Sequence, residues 1–381
     1  MTVRRWACAA LLMAAMAVPA CSARPDTGFV ANAPGEDGGA VGVGDDDASA
    51  ASATDAGSAG TTAASSSGDA ASGGVDGGPG VVLGDASVSD SELGTPVTLT
   101  MDSFTVAANS EVYMCQQFGN PFGKDVDLVK MVGSMSMGSH HFFLFNMTPS
   151  TGRNTTAALE PCPDKGLEFH PFPYLSQQPE YTVQYGPGMG YPLVGQNGLM
   201  MNVHYLNVSA TAVTPKVTIA IYPAKAGTVT THVGTIFLNS QSIYVPAETP
   251  QTNEVAATKS NVPIGDEGYT IFTNWSHMHQ YATDFQASTG GALFYEEKQW
   301  SEPPLITAGT GMNQSPLLPK TMAAGASITW TCMYYNPTTQ PMTFGDSAMT
   351  DDMCIYLGQY YPADGTPTSN ANYPDVIVSQ Q

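Results

Sequence analysis

The chain has 381 residues, with 33 acidic side chains against 12 basic ones and a formal net charge of −21 at pH 7. No basic stripe exists to neutralise phosphates, which excludes nucleic acid as a partner. The length suggests two domains, yet the first quarter lacks a domain-like composition.

The chain opens with the basic run Met1-Thr2-Val3-Arg4-Arg5, followed by an apolar run from Trp6 to Val18 and the segment Ala17-Val18-Pro19-Ala20-Cys21. This is the layout of a secretory signal peptide over residues 1–21, too short to span a bilayer. Cysteine after the small residue Ala20 resembles a bacterial lipobox, which makes Cys21 the expected lipidation site; simple secretion with nearby cleavage is the alternative. The expected location is therefore the bacterial outer membrane or cell surface, on its periplasmic or extracellular face. Membrane contact would come only through lipid at Cys21.

Residues 22–94 are rich in Gly, Ala, Ser and Asp, and between Ser22 and Leu93 twelve acidic side chains face the single basic Arg24. Such a composition cannot bury enough apolar surface to offset chain entropy, so this stretch is expected to be a disordered linker. Much of the net charge belongs to it.

From about Thr95 the texture changes to short apolar or alternating runs separated by Gly, Pro, Asn and Asp. Examples are Val97–Met101, Val217–Tyr222 and Ser327–Thr331. They predict an all-β fold of the sandwich or barrel class. A seam near Pro223–Gly227 divides the region into domains at 95–225 and 226–381. Four cysteines lie here, and sequence order favours Cys115–Cys162 and Cys332–Cys354 disulfides, as suits an oxidising compartment. Thiolate metal ligation would need closer spacing.

Only seven histidines occur. His140 and His141 head an apolar run after Gly138; regular alternation would send them to opposite faces, so they can share a metal only at a strand end or bulge. His204 lies in the strand-like run Met200–Asn207. Three imidazoles from two strands would make a site suited to copper or zinc. His277 and His279 share one face of a predicted strand with Met278 on the other. Taken alone, the pair also fits a solvated strand. The third ligand in this half is expected from Asp351-Asp352-Met353-Cys354, where the thioether of Met353 favours copper because copper cycles through a soft monovalent state. His170 and His232 read as structural or surface residues.

This ordered set resembles the ascorbate-dependent type II copper monooxygenases, the family of peptidylglycine alpha-hydroxylating monooxygenase and dopamine beta-monooxygenase. The resemblance covers residues 95 to 375 and rests on His140-His141, Val203-His204-Tyr205, His277-Met278-His279 and Asp352-Met353-Cys354 in family order. Tyr113-Met114-Cys115 and Tyr185-Gly186-Pro187-Gly188 support it. It implies two jelly-roll-like sandwiches with two copper ions facing each other across a solvent-filled cleft. His140, His141 and His204 would hold the electron-donating copper. His277, His279 and Met353 would hold the catalytic one, where O2 is reduced and an activated C–H bond of a small molecule or peptide is hydroxylated, with ascorbate or another small reductant as electron donor. No obligate protein partner is implied. A copper-binding or copper-delivery lipoprotein on the same scaffold is the alternative.

The departures concern substrate. Trp275 stands where the peptide-hydroxylating enzyme has an arginine, Leu357 stands where it has a tyrosine, and Asn202 replaces a glutamine. Trp275, Asn202, Tyr356 and Leu357 are thus candidate substrate-pocket residues, and core packing is the competing reading for the aromatics.

Overall fold

The computed structural model describes residues 88–148, 154–163, 170–248, 268–310 and 312–363, together with the backbone of strands at 81–82, 255–263 and 376–380. The signal peptide, Cys21 and most of the linker lie outside the described residues. Among the described residues the fold is all-β, its one helical element the 3-10 turn Asp90–Glu92. No helix among them is long and apolar enough to cross a membrane.

Strands up to Pro223 form two sheets. One runs in the order Val81–Val82, Glu180–Gln184, Val126–Met135, Val217–Pro223, Val97–Thr100, with Met189–Leu193 also pairing onto Val126–Met135. The other runs Glu160–Pro161, Ser110–Phe118, Gly198–Asn207, Ser139–Met147, Tyr174–Ser176. Strands from Gly234 onward form a second set. Its larger sheet centres on Tyr269–His277, Ile355–Tyr361 and Gly234–Ser240, and its smaller one on Ser327–Tyr334 between Val255–Pro263 and Ala282–Thr289. Val97–Thr100, Val217–Pro223 and Ser327–Tyr334 are the three strands anticipated from the sequence.

Burial separates outer strands from inner ones. Val217–Pro223 and Ser327–Tyr334 alternate strictly between buried and half-buried positions, as a strand with one face on a core must. Ser139–Met147, Gly198–Asn207 and Gly234–Ser240 are buried at nearly every residue on both faces. Their sheets are covered on two sides. One core joins Leu99, Ile219 and Met131 of the first half to Phe142 and Val203, and runs on into Phe237, Trp275 and Leu357 of the second. A separate core around Trp330, Phe285 and Tyr356 fills the second half. The seam between the halves is therefore packed apolar interior, and all these residues belong to one unit, Ser72–Gln381.

One expectation needs correction and another holds. Order starts before residue 95: Val88 is buried, its carbonyl accepts from Gln184 Nε2 at 3.2 Å, and Leu93 bridges to Ala224. The sheet edge supplies backbone partners that composition alone does not reveal. The disulfides pair as sequence order suggested, Cys115 with Cys162 and Cys332 with Cys354.

Candidate metal centre

Local strand geometry delivers each histidine to the seam. Gly138 takes a φ of +91°, a conformation glycine adopts without steric cost, and turns the chain into the strand Ser139–Met147. His141 then pairs with His204 and Ser139 pairs with Tyr205, so His140 is the extra residue of a bulge. That bulge lets two adjacent histidines serve one site, their ring centroids 5.6 Å apart and both side chains buried. His204 lies on the neighbouring central strand, stacked on Tyr113 with centroids 3.8 Å apart.

In the second half, His277 ends the strand Tyr269–His277 and His279 follows it. Their rings stand 5.3 Å apart, while Met278 packs into the opposite core. Met353 is buried and tied to His279 through Asp352, whose Oδ1 accepts from His279 N at 2.9 Å and from Met353 N at 2.8 Å. The Tyr334 hydroxyl donates to the Met353 carbonyl at 2.7 Å, and the Cys332–Cys354 bridge lies immediately beyond.

The two trios do not face each other across a cleft. His140 lies 4.8 Å from His277 and 5.5 Å from His279, and His141 lies 5.0 Å from His277, all as ring centroids. All five imidazoles form one buried group. The halves meet by hydrogen bonds as well as packing. Gln177 of the first half donates to the Ser276 carbonyl at 2.9 Å and pairs through Oε1 with His277 Nδ1 at 2.7 Å. Tyr113 donates to the Asp346 carbonyl, and Glu111 accepts from Ser347 and Ala348. At the imidazoles themselves no solvent-filled cleft separates the two trios, because the rings of both halves pack against one another there.

Every ring keeps one nitrogen buried and without a partner: His140 Nε2, His141 Nδ1, His204 Nδ1, His277 Nε2 and His279 Nε2. The second nitrogen of three of them is occupied. Glu111 Oε2 meets His204 Nε2 at 3.0 Å, Gln177 meets His277 Nδ1, and the Asp351 carbonyl meets His279 Nδ1 at 3.2 Å. This is the outer-partner arrangement of metal-ligating histidines, in which one nitrogen is oriented so that the other is presented. Leaving five buried acceptors or donors unmet is otherwise costly, on the order of 1–3 kcal/mol each.

Electrostatics keep the rings neutral and ready to ligate. Burial lowers His141 to about 3 and His279 to about 4, the first further depressed by His279 and the second partly restored by the Asp351 carbonyl. Burial, then neighbouring imidazoles, pushes His140, His204 and His277 well below the ordinary range. Burial also pushes the Asp352 carboxyl well above its ordinary value. A set of neutral imidazoles fits a borderline transition metal such as zinc or copper.

No family model matches the chain, and no curated protein does. Among solved structures it is similar to PNGase F, a glycosylasparaginase from Flavobacterium meningosepticum, at 10% identity over 70% of this chain and 95% of that one, with a TM-score of 0.29. The major capsid protein P2 of bacteriophage PM2 aligns over 70% and 97% at 9% identity, with a TM-score of 0.27. Neither likeness bears on the histidines.

The residues singled out for substrate lie in core. Trp275 packs edge-on to Phe172, Leu357 lies in the same cluster, and Tyr356 sits in the second core with its hydroxyl donating to Asn274 Oδ1 at 2.6 Å. Asn202 donates to both sulfurs of the Cys115–Cys162 bridge at 3.4 Å. His170 stands against Phe145 and His232 pairs with Asp127, both apart from the cluster. A cavity of about 520 Å³ opens between the halves, lined by Glu111, Tyr113 and Cys162 of the first and Asp346, Ser347 and Asp351 of the second, among others. It reaches the rear of His204 through Glu111 and Tyr113.

Sequence reasoning missed Glu111, Gln177 and the bracing role of Asp352. Glu111 and Tyr113 share a strand face at i and i+2, which gave a local signal. Gln177 gave none, since its partner is 100 residues away.

Proposed function

We propose that the protein is an exported copper-dependent monooxygenase built on two jelly-roll-like sandwiches, which hydroxylates an activated C–H bond of a small molecule or peptide with O2 and a small reductant such as ascorbate. The observation that carries the reading is the group of five buried, neutral imidazoles, each with an unpartnered nitrogen, with the backbone of Met353 tied to that of His279 through Asp352. The order of the ligand motifs in the sequence supports it, and the two disulfides support export.

His140, His141 and His204 would hold one copper and His277, His279 and Met353 the other. Bound copper would supply one-electron chemistry and activation of O2. The chain's own contribution is to orient and exclude. Glu111, Gln177 and the Asp351 carbonyl fix three rings, Asp352 fixes the backbone of His279 and Met353, and the apolar seam keeps water from the nitrogens.

A second reading, a copper-holding or copper-delivery lipoprotein, is favoured by one observation: Trp275, Tyr356 and Leu357 are packed interior and none lines the cavity. Loading the purified full chain with copper, supplying ascorbate and a panel of phenylethylamines and glycine-extended peptides, and following oxygen use against product separates the two. Coupled turnover abolished by Met353→Ala supports the enzyme. Stoichiometric copper with no turnover on any substrate supports the carrier.

A further inference from the structure

The donor atoms that come closest do not follow the two trios. Nitrogens of His140, His141 and His277 all lie within 4.8 Å of one another, and these three residues come from both halves. His277 is fastened to the first half, since Gln177, itself buried, holds both its Nδ1 and the carbonyl of the preceding Ser276. His204 is turned differently: its Nε2 is taken by Glu111, and it stacks on Tyr113. His279 is drawn toward the segment at 351–352 by its backbone and its Nδ1. The unpartnered Nε2 of His140, Nδ1 of His141 and Nε2 of His277 are each in a side chain at least nine-tenths buried.

We infer that His140, His141 and His277 form a mixed site for one transition-metal ion, zinc or copper, which ties the two halves of the chain together in the closed arrangement. Three imidazoles with no carboxylate or thiolate suit a borderline metal and leave one coordination position open. Binding draws on ligands 136 and 137 positions apart in sequence, so the ion acts as a latch as well as a cofactor. An ion that binds folded chain and not unfolded chain raises stability by RT ln(1 + c/Kd), where c is the free ion concentration, so Tm climbs with c. The inference rests on the proposed metal-binding role of the histidines but differs from the two-trio assignment in which ligands share an ion.

The test uses redox-inactive zinc on the full chain, so turnover is not the readout. Titration by calorimetry should give one tight equivalent, with a rise in Tm. His140→Ala, His141→Ala and His277→Ala should each weaken that equivalent by more than the roughly 10–100-fold that loss of an outer partner costs. Gln177→Leu should weaken it within that range, and His204→Ala and Met353→Ala should leave it within about threefold. X-ray absorption on the wild-type protein at one equivalent should show nitrogen neighbours without the sulfur neighbour at about 2.3 Å that a zinc–sulfur bond gives. This second readout does not depend on any variant folding. Tight zinc binding that His204→Ala abolishes and His277→Ala spares would overturn the mixed site while leaving the copper reading intact. A sulfur neighbour at the first equivalent would do the same. Absence of any zinc or copper binding dependent on these histidines would overturn both.

Discussion

The seam between the two halves has an aromatic stretch and an imidazole stretch, and they are held by opposite means. Around Trp275, Phe172 and Phe237, rings meet edge to face with centroids 6.0 and 6.4 Å apart inside one apolar core. Around His140, His141 and His277 the rings are as deeply buried and as close, yet each leaves a nitrogen unmet. Both stretches lie along the same strand, two residues apart at Trp275 and His277, on the face that meets the first half. The first stretch packs apolar surface; the second buries polar nitrogens that only an added ligand, such as the proposed metal ion, would meet. A site of this kind stores unmet polar groups at a place where the surrounding packing can carry the cost.

The largest effect that sharpens this contrast is Trp275→Ala. Removing a fully buried indole should cost roughly 3–5 kcal/mol in urea unfolding, with metal affinity falling alongside because the seam loosens. His277→Leu should do less in metal-free protein. It removes the unmet Nε2 but leaves Gln177 Oε1 without its partner, so stability should change by less than about 2 kcal/mol while the tight metal ion is lost.

Acid should act on the imidazole stretch alone. His141 and His279 titrate at about 3 and about 4 in the folded chain but near the ordinary 6.5 when unfolded, so the unfolded chain binds protons that the folded chain refuses. Their contribution to stability is fully present above about pH 6.5 and is lost as pH falls toward 4, by about 1.4 kcal/mol per pH unit for each ring. Denaturation midpoints of metal-free protein at pH 7, 6 and 5 should fall steadily, and a flat profile would contradict the burial of neutral rings. The smallest effect expected is from Glu111→Gln. It keeps an acceptor for His204 Nε2 and a partner for Ser347 while removing the charge, so stability should change by less than about 1 kcal/mol.

Much of this was legible in the sequence where local rules apply. The period-2 face of His277 and His279 and the glycine before His140 each follow from backbone geometry, and the disulfide pairs followed from chain order. Asp352 was visible only as a neighbour of Met353, since its hydrogen bonds to two backbone amides depend on the turn at His279. Closure of the seam was not legible. Whether Trp275 and Tyr356 line a pocket or fill a core depends on which distant strand covers them, and composition reads the same either way. The early onset of order at Val88 was hidden for a similar reason, because the partner that fixes it, Gln184, is supplied by another part of the sheet.

The most direct test of the central claim, that the five buried imidazoles are a metal centre, is metal analysis of the full chain after copper loading and exhaustive dialysis. Wild-type protein should retain stoichiometric copper, and a His140→Ala, His277→Ala double variant, still folded by circular dichroism, should retain none at the seam. Equal copper in both proteins, or none in either, would contradict it.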